Sequence, residues 1–119
     1  MKLLIADIDP LILRNLKFSL AYESDIEVVG LVADSADAVD MCKKVKPNVV
    51  LLDYRLDGAT TARQIKDTCP NVCIIILTLY GSAHEVRQFA NIVVDGYIAK
   101  ADGISNIIES IRSFKVSVR

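Results

Sequence analysis

Polar residues follow most of the short apolar runs in this chain, and their side chains could bind ions or take part in a reaction. Asp7 and Asp9 follow the first run, and Asp53 follows the third. Thr78 and Lys100 follow the two runs nearest the C-terminus. Each residue alone is compatible with an ordinary polar strand end. If the runs are parallel strands, carboxylates, a hydroxyl and an ammonium group meet at the edge where ligands bind and chemistry takes place.

The apolar runs predict five strands. They are short, rich in Val and Ile, and apolar on both faces, which is typical of central strands in a parallel sheet. The predicted strands are Lys2–Ala6, Val28–Ala33, Val49–Leu52, Cys73–Leu77 and Gly96–Ala99.

Segments with helical spacing lie between these runs. Asp9 and Pro10 predict the N-cap and the first residue of a helix, and Ser35 predicts the cap of a second helix. The expected helices end at Leu20, before Pro47 and before Pro70, then cover Ser82–Ala90 and run from Ile104 to about Phe114.

Five βα units without a gap predict an α/β fold, a doubly wound parallel sheet with helices on both faces. For a (βα)5 chain of 119 residues, the flavodoxin-like strand order 2-1-3-4-5 is the natural candidate. The chain contains no internal repeat or linker, so we expect one domain over residues 1–119, with residues 115–119 as a tail or the start of a linker.

Composition and charge exclude several classes of protein. Apolar residues make up 52% of the chain, which is typical of a folded domain. The net charge of −1 predicts no strong attraction to nucleic acid or membranes. The three cysteines form no metal-binding spacing with His84, and an odd number of thiols indicates the cytoplasm. No segment has the length of a signal peptide core or a membrane span.

Four segments of the chain combine an apolar run with the polar residues at its end: Ala6–Pro10, Val49–Leu56, Ile74–Thr78 and Asp95–Lys100. Together they resemble the receiver domain of two-component response regulators, and the likeness covers the whole chain. Two further segments, Ile26–Gly30 and Lys46–Asn48, are most similar to receivers fused to helix-turn-helix transcription factors. In that group a DNA-binding effector domain follows the receiver, so contact with DNA would need a domain absent from these 119 residues.

The resemblance implies that Asp53 is the carboxylate nucleophile that accepts a phosphoryl group from a sensor histidine kinase. Asp7, Asp53 and the backbone carbonyl of Arg55 would hold Mg²⁺, with Asp9 as a further candidate ligand. We favour Asp9 as a helix cap over a metal ligand. No catalytic residue beyond Asp53 is implied, so the domain would not be an enzyme apart from self-phosphorylation and self-dephosphorylation.

The resemblance also assigns a switch. Lys100 would pair with a phosphoryl oxygen, and the Thr78 hydroxyl would turn toward the phosphoryl group. Tyr97 would follow into the space that Thr78 leaves, which changes the output surface. Receivers of this kind often form homodimers through surface helices.

Three departures from the family pattern concern the efficiency of phosphorylation. Ile8 stands where a second acid usually supplies a metal ligand, so Mg²⁺ binding is expected to be weakened. The sequence Asp57-Gly58 follows Asp53 in place of a proline-containing turn, and Gly58 is expected to adopt a positive φ. Bulky residues replace small ones at Leu79 and at Val93–Val94.

Two alternatives remain open. Ile8 also fits an atypical receiver that acts as a phosphorylation-independent protein-interaction module. Separately, Asp7-Ile8-Asp9 resembles the first motif of haloacid-dehalogenase-type phosphatases, with Asp7 as nucleophile and Asp9 as general acid. Pro10 and the short chain do not fit that family, and Asp53 would have no role in it.

Overall fold

A five-stranded parallel sheet forms the centre of the computed structural model, which describes residues 1–92 and 94–115. The strand order is β2-β1-β3-β4-β5, as predicted, and every neighbouring pair is parallel. The order reverses between β1 and β3, which creates a crevice at their carboxyl ends. The strands are β1 Lys2–Ala6, β2 Glu27–Val32, β3 Val49–Asp53, β4 Cys73–Thr78 and β5 Gly96–Ala99.

Helices follow each strand and cover both faces of the sheet. The cap predicted at Asp9 is present, because its carboxylate accepts a hydrogen bond from the Leu11 N–H at 2.9 Å. The cap predicted at Ser35 is wrong. Asp34 caps this helix, since its extended backbone lets the carboxylate accept from Asp37 N–H at 2.8 Å. The helices are α1 Pro10–Leu20, α2 Ser35–Val45, α3 Gly58–Thr68, α4 Ala83–Arg87 and α5 Ile104–Lys115, with a 3₁₀ turn at Lys100–Asp102 before α5.

Helix α4 is shorter than the predicted Ser82–Ala90. Ser82 is its cap, and the helix ends at Arg87 because the next amides bond three residues back instead of four. Phe89 N–H donates to the Val86 carbonyl, and Ile92 N–H donates to the Phe89 carbonyl. The chain therefore winds into tight turns before β5.

Two hydrophobic layers pack against the sheet, one on each face. The α1/α5 layer contains Leu16 from α1, Ile107 from α5 and the buried thiol of Cys73. The α2/α3 layer contains Ile65 from α3 and the buried thiol of Cys42 from α2. The strands place alternate residues in each layer, so the sheet is buried on both sides as the continuous apolar runs predict.

The three cysteines lie in or near the core. Cys42 and Cys73 are buried and Cys69 is half-buried, and all three are free thiols. Within residues 1–92 and 94–115, no helix is long and apolar enough to cross a membrane. Val93 and residues 116–119 of the predicted tail lie outside the described residues.

Candidate functional site

The carboxyl ends of the strands bring the predicted polar residues into one pocket. Asp7 follows β1, and its backbone N–H donates to the Val32 carbonyl of β2 at 3.0 Å. Asp53 ends β3, and Lys100 follows β5. Both carboxylates are fully buried, and the Lys100 side chain is 8% exposed. Three strands therefore place two acids and one ammonium group together away from water.

Lys100 lies between the two carboxylates. Its Nζ is 2.7 Å from Asp7 Oδ2 and 3.4 Å from Asp53 Oδ2. The contact with Asp7 is an ion pair that lacks the alignment of a regular hydrogen bond, whereas Nζ does donate to Asp53. An ammonium group at this position can neutralise negative charge on a group bound at either carboxylate.

The side chain of Arg55 is part of the pocket, a role that the sequence analysis missed. Its Nε lies 3.2 Å from both Asp53 oxygens, and its terminal Nη2 lies 2.9 Å from Asp53 Oδ2 and 3.7 Å from Asp7 Oδ1. The only signal in the sequence is the spacing of two residues from Asp53, which allows the Asp53 side chain to accept from the Arg55 backbone in an Asx turn.

Backbone and side-chain donors set the protonation of the two acids in opposite directions. Burial raises the pKa of Asp53, but the hydrogen bonds from Arg55 and the charge of Lys100 outweigh burial and hold it below the usual range. The pKa of Asp7 is raised, because burial outweighs the contacts from Lys100 and the Asp9 N–H. Asp53 is thus the more strongly ionised acid, the form that a carboxylate nucleophile requires.

Thr78 and Tyr97 lie next to the pocket on neighbouring strands. The buried Thr78 hydroxyl donates to the Ile98 carbonyl at 3.3 Å and makes no hydrogen bond with Asp53. Tyr97 is half-buried, and its ring meets Phe89 edge to face with centroids 6.0 Å apart. The switch that the resemblance assigns to these two residues stays a prediction.

The loop between β4 and α4 is held by Glu85, which the sequence analysis also missed. Its carboxylate accepts from the backbone N–H groups of Leu79 at 2.6 Å, Tyr80 at 3.2 Å and Ser82 at 2.9 Å. Burial raises the pKa of Glu85, but these hydrogen bonds outweigh it and lower the pKa to about 2. The Ser82-x-x-Glu85 spacing of a capping box could have revealed this arrangement.

Ile8, the Asp57-Gly58 pair and Leu79 follow β1, β3 and β4, at the same end of the sheet as the pocket. Ile8 is 50% exposed, and its backbone N–H donates to Asp53 Oδ2 at 3.3 Å. The positive φ predicted for Gly58 is wrong, because Asp57 takes the left-handed conformation with φ 47° and Gly58 begins α3. Gly58 is needed for another reason: a Cβ there would lie 2.6 Å from the Phe89 ring. Leu79 is half-buried, and His84 is exposed.

The sequence profile of the response regulator receiver domain matches residues 3–112 of the chain. VraR of Staphylococcus saprophyticus is 32% identical over 114 residues, which cover 93% of this chain and 54% of VraR. VraR of Staphylococcus aureus is 30% identical with the same coverage. The chain spans about half the length of these curated relatives.

Solved structures share the fold. The isolated receiver domain of RcsB from Salmonella enterica serovar Typhimurium, in the presence of phosphomimetic BeF3⁻, superposes with a TM-score of 0.85 at 23% identity. The match covers 97% of this chain and 88% of that one. The receiver domain of the putative response regulator NarL from Mycobacterium tuberculosis gives 0.82 at 23% identity, over 94% of this chain and 93% of that one.

Proposed function

The chain belongs to the response regulator receiver family, and from that premise we propose that Asp53 accepts a phosphoryl group from a sensor histidine kinase. The observation that carries the proposal is the ionised, buried Asp53 carboxylate with two cations against it, Arg55 and Lys100. In the reaction, a bond forms between an Asp53 oxygen and phosphorus. The bond from phosphorus to the kinase's histidine nitrogen breaks, and its electron pair leaves with the imidazole.

Residues around Asp53 would bind the transferred phosphoryl group and couple phosphorylation to a change of the protein surface. Lys100 contacts both carboxylates and is close enough to pair with an oxygen of the phosphoryl group on Asp53. The Thr78 hydroxyl would exchange the Ile98 carbonyl for a phosphoryl oxygen, and Tyr97 would turn inward behind it. The changed surface beside α4 and β5 would then control dimerisation and transcription.

The residues of the pocket do not fit a Mg²⁺ site as they stand. Receiver domains typically bind Mg²⁺ through acidic residues, and Asp7 and Asp53 are the buried acids available here. Ile8 offers no side-chain oxygen, and the part of the chain that the structure describes contains no group of three or more His, Cys, Asp or Glu placed to hold a metal. Asp9 caps α1 with its carboxylate. We therefore expect weak Mg²⁺ binding and assign no step of the reaction to the metal.

The wider setting follows from the relatives. They are about twice as long as this chain, so we expect a DNA-binding effector domain to act with this receiver. The proposed partners are a sensor histidine kinase and a second copy of the receiver, and the proposed location of the protein is the cytoplasm. The domain would be a phosphoacceptor and not an enzyme in the usual sense.

A second candidate function is a phosphorylation-independent interaction module. It is favoured by Ile8, which is half-exposed and offers no side-chain oxygen where a metal ligand is usual. The phosphatase alternative receives no such support. Its proposed general acid, Asp9, caps the N-terminus of α1, where its carboxylate accepts a hydrogen bond from the Leu11 N–H.

Intact-mass measurement after incubation with acetyl phosphate, with and without Mg²⁺, tests the proposed function. We expect a gain of one phosphoryl group in the natural chain and none in Asp53→Asn. Asp57→Asn is the matched control, because Asp57 is a nearby exposed acid and should leave the gain intact. A folded natural chain that gains no mass under any condition would reject phosphotransfer in favour of the interaction module.

A further inference from the structure

The charges of the pocket balance without a metal ion. Asp7 and Asp53 supply two negative charges, and Arg55 and Lys100 supply two positive charges within 4 Å of them. Both acids are fully buried. Because a buried charge is costly unless it is paired, this arrangement already satisfies the electrostatic need that a divalent cation would otherwise meet.

The oxygens of Asp53 are also fully used as hydrogen-bond acceptors. Oδ1 accepts from the backbone N–H and the Nε of Arg55, at 3.0 and 3.2 Å. Oδ2 accepts from Ile8 N–H at 3.3 Å, from Arg55 Nη2 at 2.9 Å and from Lys100 Nζ at 3.4 Å. A carboxylate offers about four lone-pair sites. A metal ion can therefore bind Asp53 only after a donor has left.

Arg55 is the donor that faces both acids from the solvent side. Its Nη2 lies between Asp53 Oδ2 and Asp7 Oδ1, at 2.9 and 3.7 Å. The other Asp7 oxygen faces Lys100. A metal ion that approaches the two carboxylates from this side therefore meets the positive charge of the guanidinium.

We propose that Arg55 is the resident counter-cation of the Asp7–Asp53 pair and that it competes with divalent metal for this position. The effect of Ile8 and the effect of Arg55 then act together: one removes an oxygen ligand, and the other occupies the site. The inference deepens the proposed function and rests on it for its meaning, but metal binding can be measured without any phosphotransfer.

The exposure of Arg55 makes it an exchangeable cation and not a fixed one. Its side chain is 34% exposed, whereas that of Lys100 is 8% exposed. A guanidinium also pairs with phosphate oxygens in the same forked geometry that it uses with carboxylates. Arg55 can thus stay beside the acid when the acid carries a phosphoryl group, and supply charge that other receivers draw from a metal.

Titration of Mn²⁺, read by the electron paramagnetic resonance signal of the free ion, tests this competition. Mn²⁺ prefers the same oxygen ligands as Mg²⁺. We expect Arg55→Gln to bind Mn²⁺ roughly tenfold or more tightly than the natural chain, because one close positive charge is removed. Ile8→Asp should also tighten binding, and the double variant should bind most tightly.

Two control variants separate competition from general effects. Arg63→Gln removes a positive charge from the exposed side of α3 and should leave Mn²⁺ affinity unchanged. Arg55→Lys keeps the charge and should bind Mn²⁺ more weakly than Arg55→Gln. Circular dichroism before each titration establishes that the variants are folded.

The proposal is overturned if Arg55→Gln binds Mn²⁺ no more tightly than the natural chain, or if Arg55→Lys and Arg55→Gln bind it equally. These outcomes are independent of the mass measurement. A chain that accepts a phosphoryl group but shows no effect of Arg55 on metal affinity loses only this inference. A chain that shows the effect but gains no phosphoryl group loses only the proposed function.

Discussion

At the scale of single residues, the two buried acids of the pocket show how far neighbours decide chemical character. Asp53 receives hydrogen bonds from Arg55, Lys100 and a backbone amide, and its pKa is lowered. Asp7 receives one backbone hydrogen bond and the Lys100 contact, which burial outweighs, and its pKa is raised. The same side chain is therefore held ionised at one position and made easier to protonate at the other.

Glu85 gives a test of such a local effect through its pH dependence. Its pKa in the folded chain is about 2, below the ordinary value of 4.5. The ionised carboxylate therefore stabilises the fold fully above pH 4.5, and this stabilisation is lost as the pH falls from 4.5 toward 2. We expect Glu85→Gln to lower Tm at pH 7 by roughly 5 °C. Thermal melts at pH 7, 5, 4 and 3 should show the gap between the two proteins closing as the pH falls.

Glu27→Gln is the matched control for this experiment, since Glu27 is exposed at the start of β2. It should shift Tm little at any of these pH values. A gap for Glu85→Gln that stays constant from pH 7 to pH 3 would contradict the assignment of the effect to the ionised carboxylate.

The positions of the pocket residues could be predicted from the sequence, but their side-chain contacts could not. Asp53 ends a strand, and Asp7 and Lys100 each follow one. Parallel strands bring their carboxyl ends together independently of the conformation of the loops. Arg55 lies in a loop, where the direction of a side chain depends on turns that no periodicity records. Its guanidinium can reach Asp53 only because the chain turns back at this point, as the Asx turn shows.

At the scale of elements, the start of α3 is fitted to the turns that follow α4. The Gly58 Cα faces the ring of Phe89, and Phe89 in turn meets Tyr97 edge to face. The loop that follows Asp53 is therefore linked by two packing contacts to the tyrosine of the proposed switch. The sequence suggested a glycine needed for a turn, whereas the structure shows a glycine needed for close packing.

Gly58→Ala should destabilise the protein even though alanine favours helices. Helix propensity alone would give a gain of about 1 kcal/mol. We expect a net loss of about 2 kcal/mol, because the added methyl group would lie 2.6 Å from a buried ring. Urea denaturation measures the free energy of unfolding of each variant.

A double-mutant cycle with Phe89→Leu supplies the control for this prediction. The smaller side chain makes room for the methyl group, so the cost of Gly58→Ala should fall in the Phe89→Leu background. Additive costs in the cycle would contradict the proposed contact.

At the scale of the whole molecule, strand order is the most predictable feature, and the ion pairs that tie α5 to the loop between α1 and β2 are the least predictable. Five gapless βα units leave few topologies open, because crossovers are right-handed and consecutive elements are neighbours. Arg112 of α5 contacts Glu23 and Asp25 in the loop between α1 and β2, far away along the chain. Surface ion pairs over such separations leave no pattern in a single sequence.

Arg112→Gln should weaken the attachment of α5 to this loop. We expect a loss of about 1 kcal/mol in the free energy of unfolding at low salt, since the pairs are partly exposed. The loss should shrink in 0.5 M NaCl, because salt screens partly exposed charges. Urea denaturation at the two salt concentrations measures both effects.

Arg14→Gln is the corresponding control, because Arg14 is exposed on α1. It removes the same charge and should change the stability little. Equal losses in the two variants, or a loss for Arg112→Gln that salt does not alter, would show that the ion pairs contribute nothing specific.

The two buried cysteines can report on the local opening of the domain, one on each side of the sheet. Each layer beside the sheet holds one fully covered thiol, Cys73 in one and Cys42 in the other. Burial raises their pKa values to about 11 and about 12, so neither forms the reactive thiolate at neutral pH in the closed protein. Alkylation of each thiol must wait until its own layer separates from the sheet. The labelling rates of the two cysteines therefore measure the opening of the two faces of the sheet separately, and the natural chain needs no added probe.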